Sequence, residues 1–246
     1  GSVCQMLERA TGKTPRFLGK PRPEMVRLAL ARTGFPPEQA VIIGDRLYTD
    51  VACGVNAGID SIFVLSGEGV MGDKWFWAPE VKQYNGKFYM VYVANEHLAV
   101  AVADKPTGPF TCPTGKWLSE RNAIDGSFFI DDDGKIYLYY VRFDGGNVIY
   151  GAPMTDMFTL DEKNEKELIR AALPWETVLG SVAEGPFMLK HNGKYYLTYT
   201  ANDYRSPDYA VGYAVCNTPL GDFVKYDGSP ILKKDETQVG TGHHSS

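Results

Sequence analysis

Three segments of the chain share one pattern of polar and hydrophobic positions, in which an Asx-Gly pair and a lysine precede alternating aromatic and aliphatic residues. These segments are YNGKFYMVY (84–92), DDGKIYLYY (132–140) and HNGKYYLTY (191–199). Alternation with a period of two predicts a β-strand, and the Asx-Gly pair predicts the tight turn of a β-hairpin. The sequence therefore predicts three copies of one hairpin arm.

The glycines of these turns, Gly86, Gly134 and Gly193, lie 48 and 59 residues apart. A repeat of about 50 residues built from short strands is typical of the blades of a β-propeller. A β-sandwich would give turns at intervals of about 8–12 residues without this long period. The pattern therefore predicts a mainly β region of about three blades, which is part of a propeller.

The first 69 residues follow a different pattern. PEMVRLALARTG (23–34) has hydrophobic residues at helical spacing and ends at a glycine, which predicts a helix. AVIIGD (40–45) and SIFVLSG (61–67) are hydrophobic runs typical of buried parallel strands, and TDVACGVNAG (49–58) predicts a helix between them. This order predicts a βαβ unit, which is a partial α/β Rossmann-like fold.

Composition marks a boundary between the two regions. Residues 1–70 contain 4 of the 31 aromatic residues and none of the four tryptophans. The change falls at about residues 69–72, without the Pro-, Ser- or charge-rich tract of a flexible linker. We predict an α/β unit over residues 1–69 and a propeller unit over residues 70–246. A natural gene product and an assembled chimera both account for such a junction.

The charge of the chain restricts its partners. A net charge of −5 disfavours a nucleic-acid partner, because phosphate recognition requires a basic surface. No hydrophobic run approaches the about 20 residues that cross a bilayer, and no basic-then-hydrophobic leader is present. We therefore expect no nucleic-acid or membrane partner and, for the chain as given, a cytoplasmic location.

An acidic residue precedes each predicted hairpin turn. Glu80 in WAPEV, Asp125 in AIDGSFF and Glu184 in AEGPF stand 6, 9 and 9 residues before their turn glycines. Acids that begin the innermost strand of successive blades converge at one mouth of the central channel, and paired carboxylates are what glycosidic bond cleavage uses. The alternatives are a turn role for Asp125 and a solvated position for Glu80.

An ordered set of strings between residues 75 and 246 resembles glycoside hydrolase family 43. The strings are WAPEV, IDGSFFIDDDGKIYLYY, EGPFMLKHNGKYYLTYTAND, YAVGYA and GTGHHS. The resemblance implies a five-bladed propeller that inverts at the anomeric carbon of arabinofuranosyl or xylosyl linkages in arabinan and xylan, without a required cofactor. It also implies that Glu184 is the general acid and that Asp125 orients it and raises its pKa.

The same resemblance places the family's catalytic base in a blade upstream of WAPEV, where this chain has its α/β region. Asp73 lies too close to WAPEV to take that place. Impaired hydrolysis is therefore expected, since loss of a general base lowers rates about 10²–10⁴-fold. Binding of the sugar without turnover, by Trp77 and Glu80, is an alternative function, and core packing is the other interpretation of Trp77.

Two histidines at the end of the chain are candidate metal ligands. The resemblance implies that His243 or His244 lies near the centre of the channel and helps to hold a hydrated cation such as Ca²⁺. A frayed terminus without a role is the alternative. The run of acids at residues 131–133 is explained by a hairpin turn, since Gly134 and Lys135 follow it.

Two motifs in the α/β region resemble the third and fourth motifs of the haloacid dehalogenase superfamily, in its p-nitrophenylphosphatase-like branch. They are GKP, which contains Lys20, and GDRLYTD, which contains Asp45 and Asp50. The resemblance implies that Lys20 binds phosphate and that the two aspartates hold Mg²⁺, which makes Mg²⁺-dependent phosphate ester hydrolysis an alternative function. Because no DxD nucleophile motif precedes Lys20, we expect this unit to be inactive.

The predicted number of blades has a consequence for assembly. Three blades leave two open sheet edges and an exposed hydrophobic flank, so we expect the chain to associate with itself.

Overall fold

The computed structural model describes residues 12, 20–44, 47–63, 69–235 and 240–243. The chain divides into two compact units, residues 1–63 and 64–246. No helix among the described residues is long and apolar enough to cross a membrane.

The first unit is a parallel α/β fragment. Its helices and strands are α1 (Glu24–Thr33), β1 (Val41–Gly44), α2 (Ala52–Ala57) and β2 (Asp60–Phe63), with a π-helical turn at Leu47–Val51 before α2. Helix α1 ends at Gly34, whose φ of 73° is the left-handed conformation that glycine adopts without strain. Strands β1 and β2 pair in parallel, as the βαβ pattern predicts. The expected strand before Lys20 lies outside the described residues.

The second unit is mainly β, which confirms the predicted fold class, and consists of three antiparallel sheets. The first sheet contains β3 (Trp77–Tyr84), β4 (Lys87–Ala94) and β5 (His97–Ala103). The second contains β6 (Ile124–Ile130), β7 (Ile136–Phe143), β8 (Asn147–Asp156), β9 (Thr159–Leu160) and β10 (Lys166–Arg170). The third contains β11 (Ala183–His191), β12 (Lys194–Ala201), β13 (Ala210–Cys216) and β14 (Val224–Lys225).

The three sheets are arranged as successive blades around their first strands. Strand β6 contacts both β3 and β11, so the first strand of each sheet lies beside that of the next. A single hydrophobic core fills the space between the sheets. The largest fully buried side chains of this unit include Tyr92, Tyr139, Tyr140 and Tyr199, which all lie on the second strand of a sheet. Aromatic side chains of the second strands therefore contribute to the packing within this unit.

The hairpin turns follow the sequence closely, with one difference in length. Asn85-Gly86 and Asn192-Gly193 are two-residue turns in which both residues have positive φ, as their sequences predict. The turn after β6 is one residue longer. The Asp131 amide donates to the Lys135 carbonyl at 2.9 Å, and this bond encloses the three residues 132–134. This turn accounts for the run of acids at residues 131–133.

Each of the first strands contains a β-bulge near its start. The register shifts by one residue between Trp77 and Glu80, between Ile124 and Ser127, and between Glu184 and Phe187. In each bulge two residues face one residue of the next strand. The first of the two has a positive φ, at 39° for Ala78, 54° for Asp125 and 55° for Gly185. Bulges re-aim side chains and are frequent beside active sites. The same backbone distortion therefore recurs in all three blades.

The register corrects the equivalence that spacing suggests for the three acids. Glu184 immediately precedes its bulge, Asp125 is the first residue within its bulge, and Glu80 lies just after its bulge. Counting back from the turn glycines fails for Asp125 because the turn after β6 has an extra residue, whereas the bulges lie at matching ladder positions. The acids lie on neighbouring first strands, but at three different ladder positions.

Candidate active site

Glu184 lies at the start of β11, and both of its carboxyl oxygens are held. The Tyr209 hydroxyl donates to Oε1 at 2.5 Å, and the Asn147 side-chain amide donates to Oε2 at 2.8 Å. Asn147 begins β8 in the second blade, whereas Tyr209 immediately precedes β13 in the third. The orientation of Glu184 is therefore fixed by two blades together.

Asp125 is brought directly beside Glu184. Its Oδ2 accepts a hydrogen bond from the backbone amide of Gly185 at 3.0 Å, and its side chain is 7% exposed. The bulge that gives Asp125 its left-handed φ of 54° also places it against β11. A non-glycine residue in this conformation is strained, and such strain is concentrated at functional sites.

The surroundings of Glu184 raise its pKa. Burial is the largest cause, because it disfavours the charged form, and the neighbouring Asp125 carboxylate is the second. The hydrogen bonds from Tyr209 and Asn147 act in the opposite direction, since they favour the carboxylate, as does the nearby imidazole of His243. A carboxyl group with a raised pKa beside a second carboxyl group is suited to donate a proton.

The end of the described chain packs onto this pair. The His243 amide donates to Thr200 Oγ1 at 2.8 Å, and Thr200 is the ladder partner of Glu184. The His243 Nδ1 atom lies 3.9 Å from Asp125 Oδ2, and the side chain is 43% exposed. The structure thus brings His243 to the two acids. His244 lies outside the described residues.

A glycine permits this approach. A Cβ atom on Gly242 would lie 2.2 Å from Thr200 Cγ2 and 2.3 Å from the Tyr209 ring. No larger residue fits there without displacement of the terminal segment or of Tyr209. Gly242 therefore has a steric role beside the site.

Residues 62–246 match the family model described as Glycosyl hydrolases family 43. The chain belongs to this family. The matched range contains all three sheets, the two paired acids and the terminal glycine–histidine segment.

Two similar proteins of this kind illustrate the likeness. A β-xylosidase of Xylanibacter ruminicola is 31% identical over 238 residues, an alignment that covers 83% of this chain and 69% of the relative. A solved endo-1,4-β-xylanase of Bacteroides thetaiotaomicron has a TM-score of 0.72 and 45% identity, over 74% of this chain and 64% of that chain. The family 43 region of this chain is thus shorter than either relative.

The N-terminal region is similar to a different group of proteins. Residues 17–75 match a HAD-hydrolase-like model, which overlaps the family 43 match by residues 62–75. The ribonucleotide monophosphatase NagD of Escherichia coli strain K12 is 40% identical over 73 residues, which is 30% of this chain and 29% of that protein. The chain therefore joins a segment of each kind.

Within this N-terminal segment, two of the three expected residues meet. The Lys20 ammonium lies 2.5 Å from Asp50 Oδ1, and the Asp50 side chain is 5% exposed. Asp45 lies outside the described residues, so the proposed Mg²⁺ ligand pair is not described in full. In the part of the chain that the structure describes, no three His, Cys, Asp or Glu side chains are grouped as a metal would require.

The family 43 region places Glu80 between two blades. Its Oε1 accepts a hydrogen bond from the Phe128 amide at 3.1 Å, so the half-buried carboxyl joins β3 to β6. Burial raises the pKa of Glu80 to about 7, against the opposing effects of the Ser127 hydroxyl and the Phe128 amide. This contact supports a role in holding adjacent blades, alongside the substrate-binding role that the sequence suggested.

Trp77 has two faces with different surroundings. It packs against the hydrophobic core, and its ring also stacks on Trp75, with centroids 6.2 Å apart and planes at 21°. Trp75 is 47% exposed, and the Lys74 ammonium lies 4.2 Å from its ring centroid. By register, Trp77 occupies the ladder position in β3 that Glu184 occupies in β11. Core packing therefore accounts for one side of Trp77, and the stacked pair with Trp75 is compatible with a sugar-stacking surface on the other.

The sequence analysis missed Tyr209 and Asn147. These residues are 25 and 37 positions from Glu184, and no local pattern connects them to it. Tyr209 is the first residue of the string YAVGYA, so that string was an indirect signal. Asn147 follows two glycines in an ordinary hairpin sequence, and nothing in that sequence marks it as a site residue.

Proposed function

We propose that residues 64–246 form a glycoside hydrolase domain for xylosyl or arabinofuranosyl linkages of plant polysaccharides, with Glu184 as general acid and Asp125 as its partner. The observation that carries this proposal is the hydrogen bond from the amide of Gly185 to Asp125, which fixes a second carboxylate beside the raised-pKa carboxyl of Glu184. The names of the similar xylosidase and xylanase favour xylosyl linkages.

In the proposed step, Glu184 gives its proton to the glycosidic oxygen while the bond from that oxygen to the anomeric carbon breaks. The electron pair of that bond goes to the departing oxygen, and the pair of the O–H bond stays on Glu184. The neighbouring Asp125 disfavours a negative charge on Glu184 and so helps to keep the proton there until the transfer. Water attacks the opposite face of the sugar as the glycosidic bond breaks, and its proton passes to a base.

A base for that water is the feature that we propose this chain lacks. The family's base belongs upstream of WAPEV. In this chain the family 43 match begins at residue 62, and residues 17–61 before it match the HAD-hydrolase-like model. We expect slow hydrolysis for this reason, by about 10²–10⁴-fold relative to an enzyme that has the base.

A second function, sugar binding without turnover, has one observation in its favour. The stacked rings of Trp75 and Trp77 form a partly exposed aromatic platform, which is a surface on which a sugar ring can stack. Calorimetry with xylo- and arabino-oligosaccharides tests it. Binding that persists in a Glu184→Gln variant and gives no product supports it, and an absence of binding rejects it.

The catalytic proposal is tested with p-nitrophenyl xyloside and arabinofuranoside, with and without sodium azide. Azide attacks the anomeric carbon without losing a proton, so it replaces both the water and its base. We expect azide to accelerate release of p-nitrophenol and to give a glycosyl azide of inverted configuration. The Glu184→Gln variant should be slower still, whereas Glu120→Gln, which changes an exposed glutamate, should behave as the wild type.

Two results would count against this proposal. Equal rates for the wild type and Glu184→Gln would remove Glu184 from the role of acid. A retained anomeric configuration in the azide product would contradict the inverting mechanism.

A further inference from the structure

The hydrogen bonds to Glu184 limit the positions that its proton can occupy. A carboxyl group offers about four lone-pair positions in all, two on each oxygen. Tyr209 uses one position on Oε1 and Asn147 uses one on Oε2. One position therefore remains on each oxygen for the proton and for a substrate oxygen.

The two donors differ in what they can do when Glu184 changes its protonation state. The side-chain nitrogen of Asn147 can only donate, so it favours Oε2 as an acceptor. The Tyr209 hydroxyl can donate to a carboxylate, or it can rotate away from Oε1 when that oxygen carries the proton. The two contacts together therefore favour a proton on Oε1 and a carbonyl-like Oε2.

We propose that Asn147 and Tyr209 are positioning residues that clamp the carboxyl group of Glu184, and that the Tyr209 hydroxyl turns toward Oε1 as the proton leaves it. This inference rests on the proposed function of Glu184 as a general acid. It adds the means by which the acid is held and by which the charge that appears on it is stabilised.

The backbone on the Asn147 side is built to hold its side chain still. The Asn147 amide donates to the Ser181 carbonyl at 3.0 Å, which ties the start of β8 to the segment before β11. The preceding Gly146 has a φ of 138°, and a Cβ atom there would lie 2.2 Å from the Ser181 carbonyl oxygen. Only glycine permits this close approach, so the position of Asn147 is determined by the main chain.

Contacts of the backbone and of the ring also fix the position of Tyr209. Its amide donates to the Ser206 carbonyl at 3.1 Å, and its side chain is 5% exposed. The fully buried Asn202 donates to the carbonyl of the preceding residue, Asp208, at 3.1 Å. Gly242 packs against the Tyr209 ring. The hydroxyl can therefore rotate while the ring stays in place.

The proton transfer involves only Glu184, Tyr209 and the glycosidic oxygen of the substrate. The bond between Oε1 and its proton breaks, the proton joins the glycosidic oxygen, and the electron pair remains on Oε1. The Tyr209 hydroxyl then donates to the new negative charge. The Tyr209→Phe substitution keeps the ring but removes this donor, and Asn147→Ala removes the other one.

The first experiment measures the pKa of Glu184 directly, without turnover, by NMR titration of the protein labelled with ¹³C at the glutamate carboxyl carbons. The Glu184→Gln variant identifies the signal. We expect Tyr209→Phe and Asn147→Ala each to move the midpoint upward by about one pH unit, because each removes a hydrogen bond to the charged form. Tyr213→Phe is the matched control, since Tyr213 stacks on Tyr226 and the Glu184 oxygens are bonded by Tyr209 and Asn147.

The second experiment compares leaving groups. Tyr209→Phe should slow the release of an alkyl alcohol from its glycoside at least about tenfold more than the release of dinitrophenol, which needs little protonation. An unchanged midpoint in both variants, or equal slowing with both leaving groups, would overturn the clamp. If the midpoints move but no variant or wild type turns over any glycoside, the clamp stands and the proposed function fails.

Discussion

The backbone amide of Gly185 donates to Asp125 across the boundary between the second and third blades, at 3.0 Å. Gly185 is the first of the two residues in the bulge of β11, and Asp125 is the first of the two residues in the bulge of β6. Two bulges at matching ladder positions thus turn one residue's amide toward the other's carboxylate. This contact sets the distance between Asp125 and Glu184, which is the residue before Gly185.

Asp125→Asn is predicted to lower the pKa of Glu184. The substitution removes the negative charge that raises this pKa but keeps an oxygen that can accept the Gly185 hydrogen bond. Glu184 should then lose its proton at lower pH, which moves the basic limb of the pH–rate profile, or the NMR titration, toward acid. Asp222→Asn, on a 97% exposed side chain, is the control. A shift toward higher pH would contradict the proposed electrostatic coupling.

Glu80→Gln is predicted to flatten the pH dependence of stability. The folded pKa of Glu80, about 7, lies above its ordinary value of 4.5, so its contribution is fully present below pH 4.5 and is lost as the pH rises through 7. Glutamine stays neutral and can still accept from the Phe128 amide. The free energy of unfolding, measured by thermal denaturation, should fall between pH 4.5 and 8 by about 1–3 kcal/mol more for the wild type than for the variant. Parallel curves for the two proteins would refute this assignment.

Gly242→Ala is predicted to impair the site more than the fold. The added Cβ atom must displace either the terminal segment with His243 or the ring of Tyr209. Azide-assisted turnover should fall at least about tenfold, while the melting temperature changes little because terminal segments contribute little to the core. Gly180→Ala is the control, since its nearest neighbours would be 3.8 Å from the new atom. Full activity in the Gly242 variant would show that the terminal segment is dispensable.

Self-association is predicted to occur through one face of the third sheet. Residues paired across its four strands expose a hydrophobic row that consists of Leu189, Tyr196, Val215 and Val224. Leu189 is 47% exposed and Val224 is 71% exposed, and such a face favours contact with a second copy. Light scattering should show a mass that rises with concentration, and Val224→Lys should reduce it, whereas Val178→Lys should not. A monodisperse monomer at all concentrations would exclude this interface.

Local pattern was sufficient for much of this structure. The alternation after Asn85-Gly86 and Asn192-Gly193 predicted hairpins with the correct turns, because two-residue Asx-Gly loops favour one backbone geometry. The helix that ends at Gly34 and the parallel pairing of β1 with β2 were predicted for similarly local reasons. The hairpins and the helix depend on residues that are neighbours in the sequence, and β1 pairs with the next strand along the chain.

The ladder positions of the acids were not predictable in this way. A bulge exists only when two strands pair, since it is defined by two residues that face one. The extra residue in the turn after β6 then shifted the count for Asp125 relative to Glu184. Sequence spacing thus placed the acids on the right strands, and pairing decided which way each one points.

By itself the sequence determined the hairpins, the parallel α/β fragment and the acids that belong to the first strand of each blade, because hydrophobic period and turn chemistry act over a few residues. Only the tertiary structure decided that Asn147 and Tyr209 hold Glu184 and that Gly185 holds Asp125. These partners come from different blades, and their meeting depends on how the packed core sets one sheet against the next.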